Sequence, residues 1–255
     1  MQEFVATTLW VFLSMSATVS ATTCLASCGR AEMTQMTPCP PPTLNIQVSL
    51  ATGFAAGVAN GLTFQIKASE KSGNFGGQFN PAVTLALAMK GAMPWRRAVI
   101  FMFIQVLASL LAALLALLTS GRPCLEDNFH MMKQTMAPAA VRILLEVILL
   151  LFILLVPLWA YERGSMGVPV LVGFSYIATT LCGLPQLMDV PNLLRCLGLM
   201  LIGVRNWSMV WPAAISAIIA APVAVLLDIL SSREAPRELN GASSDSEDAE
   251  EHHAL

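Results

Sequence analysis

Charge is scarce in this chain. Of its 255 residues only 12% are Asp, Glu, Lys or Arg, while 56% are hydrophobic. Soluble domains carry about 25% charged residues, so a water-facing globular surface is excluded over most of the length. Histidine is scarcer still: His130, His252 and His253 are the three present, and none lies in an apolar run. No cluster of His, Cys and carboxylate and no phosphate-cradling Gly-rich loop falls in or beside those runs, which argues against an enzyme, a metal site or a bound cofactor. Nothing in the pattern points to nucleic acid. Coupled ion transport would need titratable groups along a path, and only Glu3, Glu146, Asp189 and Arg195 are candidates. A basic leader and a small-residue cleavage site are also missing ahead of the first apolar run, so that run is read as a retained helix.

What is present is length without charge. Six apolar runs, at residues 3–21, 46–66, 98–120, 141–160, 168–184 and 207–230, approach or exceed the roughly 20 residues needed to cross a bilayer as helix. The run at 168–184 is the shortest. The expectation is an all-α, multi-pass membrane protein, with a membrane domain over 1–230 and an acidic, serine-rich tail over 231–255 that has no apolar periodicity. Six spans place both termini on one side. If that side is cytoplasmic, the inner segments hold eight Lys and Arg and the outer ones six, a small bias in the expected direction. Cys24, Cys28, Cys39 and Cys124 then fall in outer loops, where disulfides can form. Their pairing, or their persistence as free thiols, stays open.

One apolar stretch is too short. In "GGQFNPAVTLALAMKG", Asn80 offers a side-chain cap and Pro81 fills the first helical position, where its missing N–H costs nothing. Lys90-Gly91 ends the helix after about half a bilayer's worth of residues. Asn192 opens a second such stretch. Leucines recur at the fifth and seventh positions after each Asn (Leu85 and Leu87; Leu197 and Leu199), a small residue at the sixth (Ala86; Gly198) and tryptophan at the fifteenth (Trp95; Trp207). Each half also opens its first span with a glutamate, Glu3 or Glu146. The halves, 1–120 and 138–230, therefore each read as span, span, half-helix, span. Three spans per half invert the second copy relative to the first. Two half-helices entering from opposite faces would meet tip to tip, with their positive N-termini at the bilayer centre. Irregular backbone at that depth is tolerable where it lines a water-filled path.

The segments "EFVATTLWVF", "SGNFGGQFNPAVTLALAM", "ERGSMGVPVLVGFS" and "NLLRCLGL" resemble the aquaporin (major intrinsic protein) family, nearest its orthodox water-channel branch, and the resemblance runs to about Leu230. It implies six transmembrane helices with two re-entrant half-helices, assembled as a homotetramer with one pore per subunit. The membrane implied is the plasma membrane, with an intracellular membrane as the alternative, and water and small neutral solutes would be the permeants. Asn80, Pro81 and Ala82 match the first pore motif. Asn192 and Arg195 match the second, with Leu193 and Leu194 replacing its Pro and Ala. Glu3 and Glu146 match buried acids that accept from the re-entrant loops, and Gly57, Gly61, Gly173 and Gly198 suit close helix contacts.

Counting along the resemblance, the outer constriction is expected at Thr52, Thr180, Asp189 and Arg195. Orthodox water channels carry an aromatic and a histidine at the first two places, so this filter is expected to be wider and more polar, with Asp189 drawing Arg195 aside. The segment "KASEKSGNFGGQ" is several residues longer than the family's norm. A water channel with relaxed selectivity is the leading expectation. Its rival is a non-conducting or junctional relative whose pore has decayed at the Leu193-Leu194 tip.

Overall fold

The computed structural model describes residues 1–29, 42–63, 77–122, 125, 138–163, 167–187 and 190–234. Helix is the regular structure over these residues: α1 (Gln2–Gly29), α2 (Pro42–Thr63), α3 (Pro81–Met89), α4 (Trp95–Ser120), α5 (Ala139–Arg163), α6 (Val168–Leu187), α7 (Leu193–Leu201) and α8 (Trp207–Glu234). Six helices are long. The two that follow Asn80 and Asn192 have nine residues each. Three of the long ones are apolar enough to span a bilayer by length and composition alone, over Trp95–Ser120, Ala139–Trp159 and Val210–Ser232, and the apolar stretch of α6, Val168–Gly183, is shorter. α1 and α2 are less apolar because they bury polar groups inside the bundle, among them Thr7, Ser14, Thr18, Ser49, Thr52 and Asn60.

Two boundaries move outward from the sequence expectation. α1 continues through Cys24 and Cys28, which were placed in an outer loop. Residues 21–28 contain no proline or glycine, and nothing stops the helix before Gly29. Cys39, Cys124 and residues 67–76 of the segment "KASEKSGNFGGQ" lie outside the described residues. α8 runs to Glu234, four residues past the expected domain end at 230.

The halves build the same unit twice. α1 packs on α2 and α4, and α5 packs in the same way on α6 and α8. Each half-helix lies against the last long helix of the other half, α3 on α8 and α7 on α4. Both half-helices stop by the same device. Gly91 and Gly203 take φ of 77° and 74°, a left-handed conformation cheap only for glycine. The next residue's N–H then reaches back to the carbonyl five residues earlier, Ala92 to Leu87 at 3.0 Å and Val204 to Leu199 at 2.9 Å. That turn reverses the chain into a long helix starting at Trp95 or Trp207, both exposed.

The halves meet along α2 and α6, which run antiparallel. A Cβ on Gly53 would sit 2.6 Å from the Gly173 carbonyl, and one on Gly57 would sit 3.1 Å from that of Pro169. Gly198 is pressed as closely on α4, with the Ser109 carbonyl 2.6 Å away. In a bilayer, where burial of apolar surface does not drive helices together, such backbone approach supplies the packing. Large apolar side chains point outward around the bundle, including Phe54, Phe103, Leu118, Phe152, Phe174 and Ile218.

This packing predicts a sharp contrast among glycines. Gly53→Ala and Gly198→Ala each place a methyl against backbone that cannot yield, and should destabilise the fold by about 1–3 kcal/mol. At Gly61 the nearest atom to a new Cβ is 3.5 Å away, so Gly61→Ala should stay within about 0.5 kcal/mol of wild type. Thermal unfolding of purified protein in detergent, read by size-exclusion fluorescence, checks the order.

Candidate functional site

The two half-helices begin side by side. Asn80 has extended backbone (φ −149°) and its Oδ1 accepts from the Ala82 N–H at 3.0 Å. Asn192 does the same (φ −159°), with Oδ1 accepting from the Leu194 N–H at 3.0 Å. With Leu193 and Leu194 in place of Pro and Ala, the second tip keeps the same side-chain cap. Leu194 is buried in the core and its carbonyl accepts from Ser109 Oγ at 2.5 Å. The side chains then cross over. Asn192 Nδ2 donates to the Phe79 carbonyl at 2.8 Å, and Asn80 Nδ2 donates to that of Pro191 at 3.4 Å. Each carboxamide thus holds the residue preceding the other Asn.

Glu3 fixes the first tip. It is 5% exposed, and its carboxylate accepts from the Gln78 N–H at 2.9 Å, the Phe79 N–H at 2.8 Å and Gln105 Nε2 at 2.7 Å. Thr84 links the ring of contacts: it accepts from Gln105 at 2.9 Å and donates to Gln78 Oε1 at 2.7 Å. The clamp holds Phe79 at φ 33°, the positive value that non-glycine residues avoid. Glu146 is buried in the second half. The partner there of Phe79 is Pro191, which has no N–H to give, so the two acids cannot hold their tips in the same way.

At the far end of α3, Lys90 Nζ pairs with buried Asp228 of α8 at 2.7 Å and also donates to the Leu158 carbonyl. A cation there also complements the negative helix end. Arg195 is 1% exposed in the first turn of α7, and its Nη2 donates to Thr18 of α1 at 2.6 Å. Thr52 and Thr180 are fully buried on α2 and α6, and neither hydroxyl has a partner among the described residues. Asp189, expected beside Arg195, lies outside the described residues.

Sequence reasoning missed the aromatic residues at the junction. Trp10, Phe79 and Tyr176 form one cluster with ring centroids 5.2 to 5.6 Å apart. Tyr176 Oη accepts from Asn80 Nδ2 at 3.2 Å. With the Pro191 carbonyl, this gives the Asn80 carboxamide nitrogen two acceptors within the protein. The available signal was scarcity, since Tyr176 is one of two tyrosines in the chain and sits mid-span. Gln105 had a similar signal, as a lone amide within "FMFIQVLASLL".

Removing the Glu3 clamp should be costly. Glu3→Ala orphans two buried backbone N–H groups at about 1–3 kcal/mol each, and should lower the unfolding temperature more than Gln105→Leu, which removes a single amide. Thermal unfolding of both variants in the same detergent decides the order.

Comparison with known proteins agrees with this architecture. A fungal protein named Aquaporin-7, from Botryotinia fuckeliana (strain B05.10), is 35% identical over 111 residues, which is 44% of this chain and 22% of that relative's length. The X-ray structure of the aquaglyceroporin from Plasmodium falciparum superposes with a TM-score of 0.62 over 88% of this chain and 92% of that one, at 16% identity, which is a likeness of fold. The family model described as "Major intrinsic protein" matches residues 1–227. Eight helices among the described residues, in two inverted halves joined at two capped half-helix tips, are thus the fold of a multi-pass membrane protein that belongs to the major intrinsic protein family.

Proposed function

We propose that the protein is a passive channel for water and for small neutral solutes such as glycerol or urea. The carrying observation is the junction of two half-helices whose N-termini meet inside the bundle, each capped by an asparagine that bonds across to the other tip. Two helix N-termini bring about half a positive charge each to one point. That favours the oxygen of a neutral permeant and opposes a cation. In this reading Asn80, Pro81, Ala82, Asn192, Leu193 and Leu194 line the middle of the path. Thr52, Thr180, Asp189 and Arg195 line its outer mouth, with Arg195 as the cation barrier. Thr18 is added to that set as the residue that positions Arg195. Glu3 and Glu146 are positioning groups for the tips.

The further assignments follow the family's pattern: a homotetramer with one path per subunit, a channel domain over 1–230 preceding a cytoplasmic acidic tail, both termini cytoplasmic, and residence in the plasma membrane. A second reading, a closed or non-conducting relative, draws on burial at the junction. Asn80, Asn192, Phe79, Tyr176 and Trp10 are each 1% exposed or less.

Purified protein in proteoliposomes should shrink faster than empty vesicles under an osmotic gradient, as read by stopped-flow light scattering. Asn80→Ala removes the cap and the cross-tip bond together, and should bring the rate down to the empty-vesicle value. Normal conduction by a folded Asn80→Ala variant would refute the junction as the path.

A further inference from the structure

The outer filter residues and the junction residues differ in bulk. Thr52 and Thr180 carry three side-chain heavy atoms each, whereas three aromatic rings crowd the junction of the half-helices. Trp10 (α1), Phe79 (ahead of α3) and Tyr176 (α6) have centroids 5.5, 5.2 and 5.6 Å apart pairwise, and none exceeds 1% exposure. They belong to the packed core that also includes Ala82 and Leu194 of the two tips. Tyr176 does more than fill space. Its hydroxyl oxygen accepts from Asn80 Nδ2 at 3.2 Å, the donor that a permeant's oxygen would otherwise use.

We infer that Tyr176 is the gate and size-determining residue of this channel: its hydroxyl stands in the permeant's place on Asn80, and flux requires the ring to swing away from Trp10 and Phe79. This rests on the channel reading above and moves its narrowest point from the outer mouth to the junction. Two features make the closed arrangement reversible. Trp10 is fully buried, yet its indole N–H has no partner among the described residues. A buried donor left unmet is unfavourable, and admitting water would relieve it. The Tyr176–Asn80 bond is a neutral one that a water oxygen can replace with little loss, so opening exchanges one acceptor for another. Phe79, by contrast, is anchored at both its N–H and its carbonyl, by Glu3 and Asn192. The moving member is therefore Tyr176. Displacing the ring would take an aromatic side chain off the Asn80 donor, and the threonines beyond are small.

Water and glycerol permeability should be compared in proteoliposomes for wild type, Tyr176→Val, Tyr176→Phe and Phe174→Val. Phe174 lies on the same helix but is 63% exposed on the outside of the bundle, so its substitution serves as the control. Tyr176→Val should raise water permeability roughly tenfold, equivalent to about 1.4 kcal/mol off the opening cost, and should raise the glycerol-to-water ratio. Tyr176→Phe keeps the ring and loses only the hydroxyl bond; it should give a smaller rise in water flux with no change in that ratio. Phe174→Val should match wild type. If Tyr176→Val does not fold, Tyr176→Phe still decides, since its packing is preserved: flux equal to wild type would overturn the gate. A conducting wild type with both Tyr176 variants unchanged would overturn the gate while leaving the channel reading intact. Folded, monodisperse protein for which no variant exceeds empty vesicles would overturn the channel reading and the gate with it.

Discussion

A backbone N–H left unpaired at the centre of a bilayer costs several kcal/mol, and a helix that begins there brings a group of them. Two helices begin inside the bundle of this membrane protein, and most of the surrounding chemistry serves their first turns. Asn80 and Asn192 take one N–H each through Oδ1, and the Glu3 carboxylate takes two more from Gln78 and Phe79. The carboxamide nitrogens then satisfy carbonyls on the opposite tip, which ties the halves together where neither is helical. The glycine contacts of α2 with α6, the Schellman turns at Gly91 and Gly203, and the Lys90–Asp228 pair all act to bring those tips to the same point.

The halves are alike in backbone and unlike in chemistry. On the first side, Glu3 with Gln105, Thr84 and Gln78 forms a connected polar network that holds a strained Phe79. On the second, Pro191 occupies the place of Phe79 and needs no acceptor for an N–H. Leu194 stands where the first tip has Ala82, and is carried by burial and by Ser109. A proline that removes a donor and a leucine that fills core volume are two ways of closing the same account of polar and apolar groups. This explains why the second motif tolerates a sequence so different from the first.

In the proposed channel, bulk is distributed unevenly along the path. The proposed mouth would carry Thr52, Thr180 and an arginine held by Thr18, while three aromatic rings pack at the junction of the half-helices. Arg195, bonded to α1, would keep its charge near that mouth. On this reading neutral solutes would meet their steric limit deeper in, where the two helix N-termini meet.

How many helices there are, which two stop half-way, and where they start were legible from the chain alone. These depend on local quantities: run length against bilayer thickness, an asparagine before a helix, a glycine after one. The inverted repeat was legible for the same reason, since the Asn, Leu and Trp register of residues 80–95 recurs at 192–207. Which side chains meet was not. Tyr176 reaches Asn80 across 96 residues, Gln105 reaches Glu3 across 102, and Arg195 reaches Thr18 across 177. In a soluble helix the polar stripe would show which face looks outward. In a membrane bundle, lipid-facing and core-facing positions are both apolar, so the rotation of each helix about its axis is settled by glycine contacts and buried hydrogen bonds between helices, and these exist only once the halves have packed.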